Sequence, residues 1–452
     1  MDTASPVQAN LLYLFMISII ASLGGLMFGF DMAIISGSVP FITDYFGLTE
    51  LQLGWGVSSM LVGAVLGAMV AGNLADRFGR RRMLIITALF FAISALGTGL
   101  AKDFTFFYLM RILGGIAVGA GSALSPMYIS EVSPSRYRGR MVVLYQMSIV
   151  VGILISYIVN YWLHDIGENN WRWMFASGTV PSVLFFGLLF IVPKSPRWLY
   201  KEGYSDEAYS ILKKVGGSVN ANYEIAEIKV SLKQAHARFR ELFQPGLRRV
   251  MVLGVVLAIL VQMTGINTII DYAPKVLEDV GIEVGDALYY NIGIGIINFL
   301  FTWVAVLLID RAGRRKLYII GSAGMVIAMI FLSIAFSMEN ISGILVLVFM
   351  FLFLSFFASC IGPVFWTLMS EIFPNKARGT AMSVAVLTNW VFNWLVVFLF
   401  PWMMGNYGGT FTYGFLGAMN VILLIFAIRY LPETKGKTLE EIEMIWQPKE
   451  KT

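Results

Sequence analysis

Apolar runs alternate with short charged breaks along almost the whole chain. They predict membrane-crossing helices near 11–36, 53–74, 83–101, 104–130, 141–163 and 173–192, then, after a polar stretch, near 250–273, 288–309, 317–337, 344–369, 380–403 and 411–431. A helix needs about 20 apolar residues to span a bilayer, and these runs meet that length. The pattern predicts an all-α membrane protein of twelve helices. It comprises an N-terminal six-helix bundle (1–192), a cytoplasmic helical linker (193–249), a C-terminal six-helix bundle (250–431) and a cytoplasmic tail (432–452).

The charged breaks repeat. Asp76-Arg77-Phe78-Gly79-Arg80-Arg81 recurs as Asp310-Arg311-Ala312-Gly313-Arg314-Arg315, a shift of 234, and Glu131-x6-Arg138-Gly139 recurs as Glu371-x6-Arg378-Gly379, a shift of 240. Repeated hinges between apolar spans indicate a duplicated bundle, as in secondary transporters, whose site lies between the halves. Basic residues at helix ends can be simple topology signals. Topology, however, requires neither the Asp nor the Gly, nor the same order twice. The predicted role is a salt-bridge latch between the halves on the cytoplasmic side, made by Asp76, Arg77, Arg81, Glu131, Arg138, Asp310, Arg311, Arg315, Glu371 and Arg378. The competing reading is static pairing at helix ends.

Charge sets the orientation. Of the 33 lysines and arginines, 29 fall in the breaks that share a side with both termini, and Lys102, Arg172, Lys275 and the intramembrane Arg111 are the exceptions. That bias predicts cytoplasmic termini in a multi-pass inner or plasma membrane protein. The chain's 58% hydrophobic and 13% charged residues fit lipid as its main solvent, since a soluble domain carries about 25% charged residues. The pI near 9.1 follows from the same interleaved basic residues and implies no nucleic acid partner. Met1–Asn10 holds no basic residue, so the first apolar run reads as a retained span rather than a cleaved signal. Within the linker, Ser205-Asp206-Glu207 has the composition of a helix start, with helices expected near 205–215 and 222–241. Cys360 is expected to be buried and inert, and His164 and His236 to be isolated, solvated residues that form no metal site.

Ionisable groups inside the membrane are costly and mark function. Asp31 in the first span and Arg111 in the fourth both fall roughly 10 Å below the outer surface at 1.5 Å per residue, so they are expected to pair. A permanent neutralising ion pair is one reading. The other is a proton site, because burial and a neighbouring arginine act in opposite senses on a carboxyl's proton affinity. Asp271 is a third intramembrane acid, and Lys275 one turn on offers an ordinary i,i+4 partner that competes with a gating or substrate role.

The uncharged polar residues within spans are mostly amides: Gln146, Gln262, Asn267, Asn298, Asn389 and Asn393. An amide donates and accepts hydrogen bonds, as does each hydroxyl of a neutral polyol, while Phe28, Trp366 and Trp390 offer faces to a sugar ring. The same amides also serve as glue between helices.

The chain resembles the sugar porter family of the major facilitator superfamily, close to bacterial proton-coupled pentose and hexose symporters and mammalian facilitative glucose transporters. The resemblance covers essentially the whole chain. Its motifs are Gly24-Gly25-Leu26-Met27-Phe28-Gly29-Phe30-Asp31, both D-R-x-G-R-R hinges, Pro193-Lys194-Ser195-Pro196-Arg197-Trp198-Leu199, Gly362-Pro363-Val364-Phe365-Trp366 and Pro432-Glu433-Thr434-Lys435-Gly436. It implies the major facilitator fold and a sugar site of Phe28, Gln146, Gln262, Asn267, Asn298, Trp366 and Asn389. It further favours proton coupling through Asp31, since the facilitative carriers have Asn at that position; Arg111, at equal depth, is its expected tuning partner. Glu131, Arg138, Glu371 and Arg378 match the family's cytoplasmic charge network. Two positions depart from the family. Val261 precedes Gln262 where a Gln-Gln pair is usual, and Asp271-Tyr272 replaces Tyr-Tyr. Val261, Asp271 and Tyr272 are therefore expected to bear on specificity or the outer gate.

Together these readings predict a carrier that imports a pentose or hexose with a proton by alternating access, a monomer in the lipid bilayer with no cofactor and no enzymatic activity. A facilitative sugar or polyol uniporter is the nearest alternative. A proton-coupled drug exporter would share the first hinge but need not carry the amides, and a transporter-like sugar sensor would be expected to have a longer tail.

Overall fold

The computed structural model describes residues 10–233, 244–374, 377–436 and 441, and every regular element among them is a helix. In chain order these are α1 Leu11–Phe46, α2 Glu50–Phe78, α3 Arg80–Gly99, α4 Phe104–Val132, α5 Ser135–Leu163, α6 Asn170–Ser177, α7 Thr179–Leu188, α8 Pro196–Lys201, α9 Ser205–Lys233, α10 Pro245–Met263, α11 Ile266–Asp279, α12 Val284–Ala312, α13 Arg314–Phe336, α14 Gly343–Cys360, α15 Gly362–Ile372 and α16 Arg378–Tyr430. Among the described residues, ten helical segments are long and apolar enough to cross a membrane.

The breaks occur where the sequence permits them. The sixth expected run forms two shorter helices, α6 and α7, that meet at Gly178. The 53 residues of α16 contain a non-helical Gly408 (φ 74°, ψ 171°), which divides the helix in two. Between α10 and α11, Gly265 adopts a left-handed conformation (φ 86°) that only glycine occupies without strain. This break frees backbone carbonyls, and the buried Asn420 amide donates to Thr264 O at 3.1 Å. Helix α1 runs ten residues past its expected end at 36. Ser36 and Ser38 within this extension satisfy their hydroxyls on the carbonyls of Ala33 and Ile35, so polar side chains do not interrupt it.

The chain divides into two compact units, one of residues 1–32, 63–156 and 172–235, the other of 33–62, 157–171 and 236–452. In the first unit helices approach at glycines. A Cβ on Gly29 would lie 1.9 Å from the Ile149 carbonyl oxygen on α5, and one on Gly119 would lie 2.0 Å from that of Ala64 on α2. Such stripes allow backbone contact where lipid supplies no hydrophobic drive between helices. The linker forms α8, capped by Ser195, whose hydroxyl accepts from the Trp198 N–H, and α9, interrupted at Gly217 (φ 80°). Helix α8 was not expected, while the break at Gly217 that divides α9 falls in the anticipated gap between 215 and 222; the end of the second expected linker helix, with His236, lies outside the described residues.

Candidate functional site

Asp31 on α1 and Arg111 on α4 meet inside the first unit, where they are 7% and 1% exposed. Arg111 Nη1 donates to Asp31 Oδ1 at 2.8 Å and to the Asp31 carbonyl oxygen at 3.1 Å. The guanidinium also lies over the Phe175 ring, 5.4 Å from its centroid. Only one nitrogen makes these bonds. Asp31 Oδ2, Arg111 Nε and Arg111 Nη2 are buried without a hydrogen-bond partner among the described residues. A static ion pair would be best served by a two-pronged fork, which this geometry lacks. Gly114 makes the fit possible, since a Cβ there would stand 2.8 Å from Asp31 Oδ2.

In the second unit four amides form a chain of hydrogen bonds. Gln262 Nε2 donates to Asn389 Oδ1 at 2.8 Å, and Asn267 Nδ2 donates to Gln262 Oε1 at 2.9 Å and to Asn393 Oδ1 at 2.7 Å. The turn at Gly265 carries α10 into α11 so that Gln262 and Asn267 come together, and both face α16. Asn393 belongs to this chain although the family resemblance did not include it. Asn298 on α12 is buried, Trp366 on α15 is partly exposed at 39%, and Trp390 on α16 is buried. Phe28 and Gln146 belong to the first unit and are half-buried. Val261 is buried beside Gln262 and supplies no polar group.

The repeated hinges build the same local structure twice. Gly79 (φ 88°) and Gly313 (φ 91°) reverse the chain, and the following arginine folds back onto the end of the preceding helix. Arg80 Nη1 donates to Ala75 O at 3.2 Å, and Nη2 pairs with Asp76 at 2.8 Å and Glu131 at 3.0 Å. In the second copy, Arg314 Nη1 donates to Ile309 O at 3.0 Å and Nη2 pairs with Glu371 at 2.8 Å. The Ser195 hydroxyl donates to Glu131 Oε2, and the Thr434 hydroxyl to Glu371 Oε2 at 2.6 Å.

These contacts modify the expected latch. The described ion pairs of Glu131 and Glu371 lie within their own units, and their partners, Arg80 and Arg314, were absent from the expected set. Arg81 and Arg315 instead donate to helix-end carbonyls, Leu189 and Phe190 in one copy and Ile428 in the other. Arg77 lies over the Phe78 ring, and the Arg311 carbonyl accepts from Lys435 Nζ at 2.6 Å. Arg138 pairs with Glu224 of α9 at 3.2 Å, and Arg378 Nε donates to Phe373 O at 3.3 Å. The Asp310 side chain lies outside the described residues. One sequence signal does anticipate Ser195 and Thr434: Pro193-x-Ser195 and Pro432-x-Thr434 also recur, with a shift of 239.

Asp271 is 3% exposed on α11. Lys275, one turn on, makes its described ion pairs with Glu278 and Asp279, at 3.0 and 3.1 Å. The next residue, Tyr272, donates its hydroxyl to Val397 O on α16 at 3.0 Å. His164 is partly buried rather than fully solvated, stacked on Tyr161 with ring centroids 5.4 Å apart. Cys360 is buried.

Comparison with known proteins agrees with this architecture. The family model described as "Sugar (and other) transporter" matches residues 17–446. The chain is 40% identical over 441 residues to the arabinose-proton symporter of Bacillus subtilis, covering 96% of this chain and 95% of that one. An inward-open structure of the xylose transporter XylE from E. coli is similar with a TM-score of 0.86 and 40% identity, over 96% of this chain and 100% of that chain. The major facilitator superfamily proton:xylose symporter XylE bound to 6-bromo-6-deoxy-D-glucose is similar at 0.79 and 38%, over 97% and 100%. The fold is therefore that of the major facilitator superfamily, and the chain belongs to the sugar transporter family.

Proposed function

We propose that this protein is a proton-coupled symporter that takes up a pentose or hexose by alternating access. Twelve membrane-crossing helices are part of this reading, with Gly178 and Gly408 as breaks in or between spans, both termini in the cytoplasm and the chain acting as a monomer. The observation that carries it is the buried Asp31–Arg111 contact through one nitrogen, in a chain that also buries a hydrogen-bonded set of neutral amides. A carboxylate bound on one side only can take a proton on Oδ2 without first losing its arginine. Protonation then weakens the pair, and a conformational change can follow from the altered charge.

The amides supply the sugar chemistry. Gln262, Asn267, Asn298 and Asn389 present both donors and acceptors, and Trp366, with Phe28 and Gln146 of the first unit, completes the proposed binding set. Free of sugar, the amides satisfy one another, and a hydroxylated ligand exchanges those bonds for its own. The repeated hinges act as the proposed cytoplasmic gate, breaking and re-forming contacts as the cavity changes side. The names of the relatives, arabinose-proton and xylose-proton symporters, favour this reading over facilitated uniport.

The test is uptake into proteoliposomes under an imposed pH gradient. Wild-type protein should concentrate its sugar against a gradient, and Asp31→Asn should abolish that accumulation. Uphill uptake by the variant would remove Asp31 as the coupling site. A screen of pentoses, hexoses and polyols by thermal shift identifies the substrate, and stabilisation by hydrophobic cations alone would overturn the sugar assignment.

A further inference from the structure

The two halves of the repeat carry opposite charges at one matched position. Pro432-Glu433-Thr434 follows α16, and its counterpart is Pro193-Lys194-Ser195, so a glutamate in one copy stands where the other has a lysine. Glu433 closes the start of α13. Its Oε1 accepts from the Arg314 N–H at 2.9 Å, and a Cβ on Gly313 would lie 2.6 Å from its Oε2. Helix α3 begins at the equivalent Gly79 without a side-chain cap. Lys194 instead reaches Glu207 at 3.2 Å and the Tyr204 ring, 6.0 Å from its centroid.

A cavity of about 270 Å³ lies at this start of α3, and Gly79, Arg80, Arg81, Arg82, Lys194 and Trp198 line it. Trp198 is 8% exposed, and its Nε1 is buried without a hydrogen-bond partner among the described residues. Arg80 is balanced by Asp76 and Glu131, and Lys194 by Glu207. Arg81 gives Nε and Nη2 to the carbonyl oxygens of Leu189 and Phe190, which carry no net charge. Arg82 is exposed and makes no ion pair among the described residues. Two guanidinium charges are therefore uncompensated beside a helix N-terminus, whose N–H groups and dipole also favour an anion.

The surface next to the cavity is apolar. Arg82, Ile86, Leu89 and Ile93 follow one another at spacings of four, three and four, so they share one face of α3, and all are exposed. Phe190, also exposed, borders the cavity. A cationic end that leads into an apolar face matches the polarity of an anionic phospholipid, headgroup at Arg82 and chains along α3.

We propose that this cavity is an anion site for a phosphate group, which supplies at α3 the negative charge that Glu433 supplies at α13. Its oxygens accept from Arg82, from Trp198 Nε1 and from the first N–H groups of α3, and bonds of this kind are strongest to a charged acceptor. The phosphate belongs either to a phospholipid headgroup, which the apolar face favours, or to a phosphate ion in solution. The site is independent of the symport reading, and its test uses neither sugar nor a pH gradient.

The experiment measures thermal unfolding of the purified full-length carrier with two probes. One is inorganic phosphate, titrated against chloride at constant ionic strength; the other is phosphatidylglycerol, mixed into phosphatidylcholine nanodiscs. Wild-type protein should be stabilised by at least one of them. A response to phosphatidylglycerol alone assigns the site to lipid, and a response to inorganic phosphate assigns it to a soluble ion. Lys194→Glu places a carboxylate where the second copy has one and should abolish the response. Arg82→Gln should require roughly tenfold more probe for the same shift, the loss expected for one hydrogen bond to a charged group. No response to either probe overturns the proposal, as does a full response in Lys194→Glu. If Lys194→Glu fails to fold, Arg82→Gln, a change at an exposed side chain, decides alone, and an unchanged response there overturns the proposal.

Discussion

The Thr434 hydroxyl donates to Glu371 Oε2 at 2.6 Å, and the Ser195 hydroxyl makes the same bond to Glu131 Oε2 in the other half of the repeat. Each hydroxyl thus holds a glutamate that also pairs with a hinge arginine, Arg314 or Arg80. Hydrogen bonds to charged groups contribute about 1.5–3 kcal/mol.

Ser195→Ala and Thr434→Val should each destabilise the arrangement seen here relative to any in which the hinge is open. Maximal uptake rates should change by roughly tenfold, the factor that about 1.4 kcal/mol represents. Initial-rate uptake in proteoliposomes, with protein orientation matched, checks this. Wild-type rates in both variants would count against a gating role for these bonds.

Loss of the central amide should act on affinity. Asn267 spans Gln262 and Asn393, so Asn267→Leu leaves two acceptors without their donor and removes a donor from the proposed sugar. A buried unsatisfied polar group costs about 1–3 kcal/mol. Sugar affinity measured by calorimetry should fall roughly tenfold or more, with the identity of the best ligand retained. Unchanged affinity would place the sugar elsewhere.

Arg111→Met leaves Asp31 buried without its described partner. Breaking a buried pair on one side costs about 3–5 kcal/mol, whereas removing both charges is often neutral. The single variant should therefore unfold at a clearly lower temperature than wild type, and Asp31→Asn/Arg111→Met should recover much of the loss. Equal losses in both would mean that Arg111 stabilises by packing on Phe175 instead.

Gly265→Ala tests the break between α10 and α11. The residue has φ 86°, and a Cβ there would meet Leu416 Cδ1 at 2.7 Å. A non-glycine residue held in this region costs about 1–3 kcal/mol. Thermal stability should fall, and sugar affinity with it, because the turn aligns Gln262 with Asn267. Leu416→Ala in the same chain should relieve the clash but not the backbone strain, giving partial recovery.

Much of this was legible in the chain itself. Apolar runs located the start of α1 and, within several residues, α2 to α5 and α10 to α15, because desolvating a backbone in lipid leaves few options besides a helix. Equal depth brought Asp31 to Arg111, since rise per residue converts sequence position directly into height along a helix. The departure at Asp271 was visible as a charge in an apolar segment. In each case a one-dimensional quantity, hydropathy or distance along a helix, was enough.

What the tertiary structure decided is which side chains meet around the helix axis and across elements. The hinge repeat holds four arginine or aspartate positions per copy, yet only the turn at Gly79 or Gly313 determines that Arg80 and Arg314 reach the glutamates. Lys275 lies one turn from Asp271 but makes its described pairs with Glu278 and Asp279, and Asn393 joins the amides because α16 presents it beside Asn267. Hydropathy carries no information on azimuth or on the register of one helix against another. Those follow from packing, from glycine contacts and from where the breaks fall, so the sequence by itself determined the spans and the buried charges, and the folded chain determined their partners.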